Sequence, residues 1–435
     1  MKKIREHAAG IDIGANNFFV SIDGEEVKVF FTYTDDIKLL RNYLLENKIE
    51  TVAMEATGVY WVVLYEMLEE AGFDVWLIDG RETKQVPGRK TDVKDCQWIQ
   101  QLHSYGLLNR CYVSDSDTKE LKSYVRLRED HIRSASMHIN HMQKALTQMN
   151  IRLKEVLSQI HGKSGLAIIK AILEGERDRD KLVDLCHVSI LKKKRDLVYK
   201  ALEGNYTKSG LFALKQAFQG YMFYQQQIDE CDIMINSIIN KLGNNGENPK
   251  VKEKPQKEVK RKRIRHNSPK VDNLGQNLLN IFGGKDATKI SGITDYTWLQ
   301  LYSETGSDLS RWPSEKHFTS WLGLSPGQNH SGKKRRNAKK KGHPPVGQIF
   351  RTIAQSLINS KYTALGSFGR RLRARKGSSI AIKATARKLA ELYWRVMVKG
   401  LDYAEMGVKK YEEQLQVQKM KIFKKMAKDL NVLIT

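Results

Sequence analysis

The sequence predicts an α/β domain at the N-terminus followed by an all-α remainder, and three observations carry that prediction. Five short segments rich in Val, Ile and Phe, separated by polar turns and two helical patterns, fill the first 113 residues. No proline occurs between Pro87 and Pro249, and within that span apolar residues recur at three- and four-residue steps. Beyond a basic stretch, the last third reads as amphipathic helices and loops. The chain is therefore expected to divide into an α/β domain at 1–113, a helical coiled-coil region at 114–243, a basic disordered linker at 244–277 and a mainly helical domain at 278–435.

Strands are expected at 9–14, 17–22 and 26–32, turning at Asn16 and at Asp23-Gly24. A helix over 36–47 places Ile37, Leu40, Leu44 and Leu45 on one face. A strand at 50–55, a helix at 59–71 and a strand at 73–78 follow, then a helix opening on Lys90-Thr91-Asp92-Val93-Lys94-Asp95. The order β-β-β-α-β-α-β-α is that of the ribonuclease-H-like fold. In that arrangement Asp12 lies mid-strand on the first strand and Glu55 ends the neighbouring fourth. The last helix crosses the sheet and delivers Asp92 and Asp95 to the same spot.

Taken alone, Asp92 and Asp95 would be a favourable acidic first turn. Asp12 is harder to explain away, because a buried unpaired carboxylate is heavily penalised and must be paired or hold a metal. Four carboxylates converging at strand ends suit hard divalent cations with oxygen ligands, Mg²⁺ above all. Two such ions about 3.5–4 Å apart stabilise both the attacking and the leaving oxygen of a phosphoryl transfer.

In the middle region Leu121, Val125, Ile132, Ala135, Ile139, Met142, Leu146, Met149, Leu153, Val156 and Ile160 form a heptad seam, which predicts one long helix over 117–160. Helices at 164–174, 189–203 and 209–243 follow, the last with an aromatic stripe read as core. Within 250–270 ten Lys or Arg stand against two Glu, a composition that cannot build a core. A turn enters a helix at 290–301, and 316–327 ends in Leu-Gly-Leu-Ser-Pro-Gly. The densest basic segment comes next, Ser331-Gly332 followed by Lys333, Lys334, Arg335, Arg336 and Lys339. Helices at 346–359 and 379–399 flank a second basic stripe with Arg370, Arg371, Arg373 and Arg375. Both stripes are candidates for contacts to nucleic-acid phosphates.

Lys and Arg number 74 against 49 Asp and Glu, a formal charge of +25 that points to a polyanionic partner, nucleic acid before an anionic membrane. No stretch approaches the ~20 apolar residues of a spanning helix, and the N-terminus has no apolar signal core. Cys96, Cys111, Cys186 and Cys231 form no C-x-x-C pair, which argues against zinc or disulfides. A cytoplasmic, nucleoid-associated prokaryotic protein is expected.

At this point the residues resemble a family, the DEDD-type insertion-sequence transposases of the IS-one-ten group, which also contains pilin-gene invertases. The resemblance rests on Gly10-Ile11-Asp12-Ile13-Gly14, Met54-Glu55-Ala56-Thr57-Gly58, the 90–95 motif, Trp321-Leu322-Gly323-Leu324-Ser325-Pro326-Gly327, Ser331-Gly332 and Ala386-Arg387-Lys388-Leu389-Ala390. The segments Ala167-Ile168-Ile169-Lys170 and Leu211-Phe212-Ala213-Leu214 look most like the IS-eleven-eleven branch. Departures are Asn16 where Lys is frequent, Cys96 where Ala is usual, and Gly292-Ile293-Thr294 without a second Gly.

The resemblance implies a RuvC-like domain whose tetrad Asp12, Glu55, Asp92 and Asp95 binds Mg²⁺, and a C-terminal transposase domain whose nucleophile matches Ser331. It also implies recombination of donor and target double-stranded DNA through a 5′-phosphoserine, guided by a structured bridge RNA. Family assemblies are tetramers in which one subunit's acidic domain meets another's serine domain, so a dimer or tetramer is expected. Two neighbouring readings stay open: a protein-only site-specific invertase, and a Mg²⁺-dependent nuclease or junction resolvase that uses no serine.

Overall fold

In the computed structural model, residues 3–83, 92–245, 267–326, 329–331, 334–336 and 344–400 are described, with four further positions near the C-terminus. The chain separates into two units, Met1–Val113 and Ser114–Thr435.

The first unit is built on β1 (Ala8–Ile13), whose residues are almost all buried, as expected of a central strand covered on both faces. β2 (Asn17–Ser21) and β3 (Lys28–Phe31) extend the sheet antiparallel on one side. β4 (Thr51–Glu55) and β5 (Asp74–Ile78) extend it parallel on the other, giving the order β3-β2-β1-β4-β5. Parallel pairing needs crossovers, and α1 (Thr34–Glu46) and α2 (Trp61–Glu70) supply them. Ile37, Leu40 and Leu44 of α1 and Leu64 and Leu68 of α2 bury against Ile11, Ile13, Val52 and Val75. The short α3 (Gly80–Thr83) follows β5. α4 (Asp92–Ser104) closes the opposite face, where Ile99 meets Ala53 and Ile78. This is the mixed α/β sheet expected of a ribonuclease-H-like domain, with strand ends displaced by one or two residues.

The second unit is mostly helical. α5 (Ser116–Gln148), capped by Asp115 accepting from Thr118 N at 2.9 Å, pairs antiparallel with α10 (Lys208–Asn245). The register is read from Asp117–Lys241 and Arg128–Asp232 towards one end and from the shared core of Met142, Leu146, Leu214 and Ala217 towards the other. Between them lie α6 (Leu153–Val156), α7 (Lys163–Leu173), α8 (Arg179–Asp184) and α9 (Val188–Ala201).

The single helix expected over 117–160 is corrected here. α5 stops at Gln148, and Asn150 sits in the left-handed region at φ 57°, a conformation asparagine tolerates and a helix does not continue through. Met149, Ile151, Leu153, Leu157 and Ile160 stay buried in the same core, so the apolar rhythm outlasts the helix.

Within the 244–277 segment, α10 carries on to Asn245 and α11 (Leu274–Ile281) begins, while residues 246–266 lie outside the described residues. Residues 267–272 are held on α10: Lys270 N donates to Asp232 Oδ2 (3.0 Å) and Asp272 N to Asn236 Oδ1 (3.0 Å). α12 (Asp295–Thr305) and α13 (Glu315–Trp321) lead to a hairpin of β6 (Asn329–Ser331) and β7 (Lys334–Arg336). α14 (Pro345–Asn359), α15 (Ala364–Lys376) and α16 (Ser378–Lys399) complete the unit around Trp298, Phe318, Phe350 and Tyr393.

A buried ion pair organises this unit. Arg128 and Asp232 are 2% and 3% exposed at their side chains, with Nε to Oδ1 at 2.6 Å. Arg128 Nη1 also donates to Asn267 O (3.0 Å) and to the Tyr296 hydroxyl (3.1 Å), so one guanidinium ties α5 to α10, to the segment before α11 and to α12. Good geometry and additional hydrogen bonds of this kind are what offset the desolvation of a buried ion pair.

Candidate active site

Gly10 and Asp12 are two apart on β1 and so share a face, the one α4 covers. α4 lies so close that a Cβ on Gly10 would stand 2.5 Å from Cys96 O and 2.7 Å from Gln100 Cα. The missing side chain is what lets the helix approach the strand backbone to backbone. Gln100, buried, fixes the approach by donating from Nε2 to Ala8 O (3.0 Å), Ile22 O (3.1 Å) and Ser104 Oγ (3.0 Å), one amide shared among three acceptors. At the other end of α4, His103 Nε2 meets Thr51 Oγ1 of β4 at 2.8 Å. Burial, followed by the nearby Arg5 guanidinium, pushes the His103 pKa down to about 4. That imidazole stays neutral and structural at physiological pH.

Asp92 and Asp95 lie in the first turn of α4, and their charges act on Asp12. Gly10→Ala should drive α4 off the sheet, with a loss of about 1–3 kcal/mol, the usual cost of overpacking. A lower melting temperature together with weaker divalent-cation binding is the expected result, checked by scanning calorimetry with and without Mg²⁺.

Asp12 is half-buried and its pKa is pushed up to about 6, first by burial and then by the charges of Glu55, Asp95 and Asp92. Three other carboxylates thus act on this one, and a group in that position favours any cation that relieves it. Glu55 ends β4, where a Cβ on Gly80 would stand 3.0 Å from Glu55 Cγ and closer still to its carboxylate. The Glu55 side chain lies where a residue with a side chain at 80 would be, and Thr83 Oγ1 lies 3.3 Å from Glu55 Oε2. Burial and the charge of Asp12 push the Cys96 thiol up to about 12, so it remains protonated beside the acidic group.

Among the described residues no three His, Cys, Asp or Glu side chains reach common ligand distance. The donor set itself, all carboxylate oxygen, fits a hard divalent ion. Gly10, Gln100, Gly80 and Thr83 were not among the expected site residues. The glycine before Asp12 was the one visible signal.

Ser331 ends β6 and pairs in backbone register with Lys334 of β7, so two short antiparallel strands form in the basic segment. Lys334, Arg335 and Arg336 lie on β7, whereas Lys333 and Lys339 fall outside the described residues. Arg370 Nη1 donates to Ile358 O at 3.3 Å and to Ser360 O, so it caps the C-terminal end of α14. Arg373 Nη1 approaches Asn359 Oδ1 at 3.5 Å, and Arg375 is exposed.

The five-stranded mixed sheet, of ribonuclease-H-like order, carries Asp12 on β1 and Glu55 at the end of β4, with Asp92 and Asp95 opening α4. A transposase family model, DEDD_Tnp_IS110, matches residues 9–151, and a second, described as the transposase IS116/IS110/IS902 family, matches residues 285–368. The two follow in chain order, the first running from the first unit through α5 of the second, and together they cover just over half of the sequence. The chain belongs to the IS110 family of DEDD transposases, enzymes that act on DNA. No curated protein matches it. Among the described residues no helix is long and apolar enough to cross a membrane.

Proposed function

We propose that the protein is the recombinase of an insertion sequence, with a metal-dependent acidic centre in the first unit and a nucleophilic serine in the second. The observation that supports this most is the electrostatic convergence of Glu55, Asp92 and Asp95 on Asp12. Asp12, Glu55, Asp92 and Asp95 would hold Mg²⁺ as ionised carboxylates. Bound Mg²⁺ supplies Lewis-acid stabilisation of charge on the phosphate oxygens.

The Ser331 hydroxyl is a weak nucleophile and must be activated. Its Oγ attacks phosphorus, the bond from phosphorus to the 3′ oxygen breaks, and the serine proton passes in net terms to that oxygen. A 5′-phosphoserine and a free 3′-OH result, and because a phosphoester is kept, rejoining needs no ATP. Lys334, Arg335 and Arg336 neutralise phosphate charge nearby. The charge of +25 suits a protein that reads backbone while a guide RNA reads sequence by base pairing. Assembly as a dimer or tetramer lets the acidic unit of one copy serve the serine of another.

The test is a denaturing gel of a donor-end duplex incubated with Mg²⁺ and the element's flanking non-coding RNA. A covalent protein–DNA adduct is expected with the wild type and none with Ser331→Ala. Complete strand cleavage by Ser331→Ala would favour a nuclease, and recombination without RNA would favour a protein-only invertase.

A further inference from the structure

The antiparallel register of the first sheet extends the face that carries Asp12. Asp12 of β1 stands opposite Phe19 of β2, Phe19 opposite Val29 of β3, and Asn17 opposite Phe31. Directly opposed residues point to the same side of a sheet and alternate residues of a strand do too, so Asp12, Phe19, Val29 and Phe31 share one face. α4 covers that face towards β4 and β5, through Ile99 against Ala53 and Ile78. It also meets the chain just past the far end of β2, where Gln100 Nε2 donates to Ile22 O at 3.1 Å. Towards β3, the last strand of the sheet, the face is open: Phe19 is half-buried, Val29 is 48% exposed and Phe31 57%. Phe30, on the opposite face, is what β3 gives to the core. An exposed edge strand is ordinarily protected by charged side chains, and contiguous exposed apolar groups mark a binding surface. None of the positions that this register puts on the face, from Ala8 of β1 to Phe31 of β3, is Lys or Arg. A ligand lying there is held by rings and methyl groups and not through phosphate charge.

We infer that Phe31, flanked by Phe19 and Val29, is a positioning residue that stacks on an unpaired base beside the phosphodiester held at the acidic centre. The inference rests on that centre's acting on a DNA strand, and it adds that the strand is unstacked next to the cut. Strand spacing puts Phe19 about 5 Å and Val29 about 10 Å from Asp12, a reach of about one to three nucleotides. Bases in a duplex are already stacked on one another, so a ring can take one only after it has left the helix. Stacking on phenylalanine tolerates every base, which leaves sequence choice to other parts of the assembly.

The test compares the full-length parent with Phe31→Leu and Phe31→Tyr, using Mg²⁺, the element's flanking non-coding RNA and two donor-end duplexes, one fully paired and one mismatched beside the cut. Position 31 is exposed, so both variants should melt with the parent. On the paired duplex Phe31→Leu should lower kcat for adduct formation about tenfold, and Phe31→Tyr should stay within about twofold of the parent, as expected for one base on one ring. On the mismatched duplex the base is already out in the bound ground state, so the loss should leave kcat and appear in KM. An equal loss of kcat on both duplexes, a loss that Tyr does not restore, or no loss at all would overturn the inference. A second readout needs no cutting: with Ser331→Ala, iodouracil placed beside the cut should photocrosslink to the peptide containing Phe31. That cross-link without any adduct from the parent would refute the serine chemistry and support the stacking face, whereas adducts without the cross-link would overturn the face alone. A Phe31→Leu protein with altered sedimentation and unchanged DNA readouts would make the occupant a second copy of the chain and overturn the assignment to a base.

Discussion

The Asp12→Asn protein should lose strand cleavage by about 10³-fold or more, since metal-ion stabilisation of the transition state is worth several kcal/mol. In metal-free buffer at pH 8 it should nevertheless be more stable than the wild type. The sign follows from the direction of the shift. The folded state raises the Asp12 pKa from 3.8 to about 6, so the folded protein holds this proton more tightly than the unfolded chain. Below about pH 4 the group is protonated in both states and contributes no difference. As pH rises through the window from about 4 to about 6, ionisation costs more in the folded state and stability falls. Above pH 6 the penalty is complete. Asn removes it, so the stabilisation by Asp12→Asn should grow across that window and then level off, at about 1 kcal/mol once partial solvent screening of this half-buried group is allowed for. Mg²⁺ should raise the melting temperature of the wild type and leave the variant nearly unmoved. Thermal melts from pH 4 to pH 8, with and without Mg²⁺, check both halves. A variant less stable than the wild type at pH 8 would mean that Asp12 is held by internal hydrogen bonds and not poised for a cation.

Arg128→Ala should be the most damaging single change outside the acidic centre. It strands Asp232 in a buried site, where losing one partner of an ion pair typically costs about 3–5 kcal/mol. It also removes donors from Asn267 O and from the Tyr296 hydroxyl, loosening the segment that leads into α11. Urea unfolding followed by far-UV circular dichroism should show the transition of the helical unit shifted to lower denaturant. Arg128→Met combined with Asp232→Leu should recover most of the loss, because an apolar pair of similar volume carries no desolvation penalty. An Arg128→Ala protein with an unchanged midpoint would show that the pair is solvated.

How far the fold could be read in advance depended on which signal each element carries. β1, β4 and β5 announce themselves through runs of buried β-branched and apolar residues, and Asp12 stood out because it breaks such a run. The end of α5 was hidden, because its terminating signal is the single residue Asn150 inside an uninterrupted apolar rhythm. Arg128 was hidden for the opposite reason. It occupies the seam position between Val125 and Ile132, and the seven-residue gap there reads as a lapse in the pattern when it is the site of the buried pair. The β6–β7 hairpin carries almost no apolar residues, so its strands give no alternation to detect. In the acidic centre the ligand types were visible, but Gly10, Gln100 and Gly80 position them through close approach and one buried amide, which composition does not display.

The central claim is that four carboxylates form one cation site around Asp12, and proton release on metal binding tests it most directly. Metal binds the ionised carboxylate, so a group with a pKa of about 6 must give up its proton on binding near that pH. Calorimetric titration of Mg²⁺ into the full-length protein, in buffers of different ionisation enthalpy, counts those protons. About half a proton per site should be released at pH 6 and almost none at pH 8, with binding lost in Asp92→Asn and Asp95→Asn. Binding without proton release at pH 6, or binding unchanged in both variants, would contradict the account.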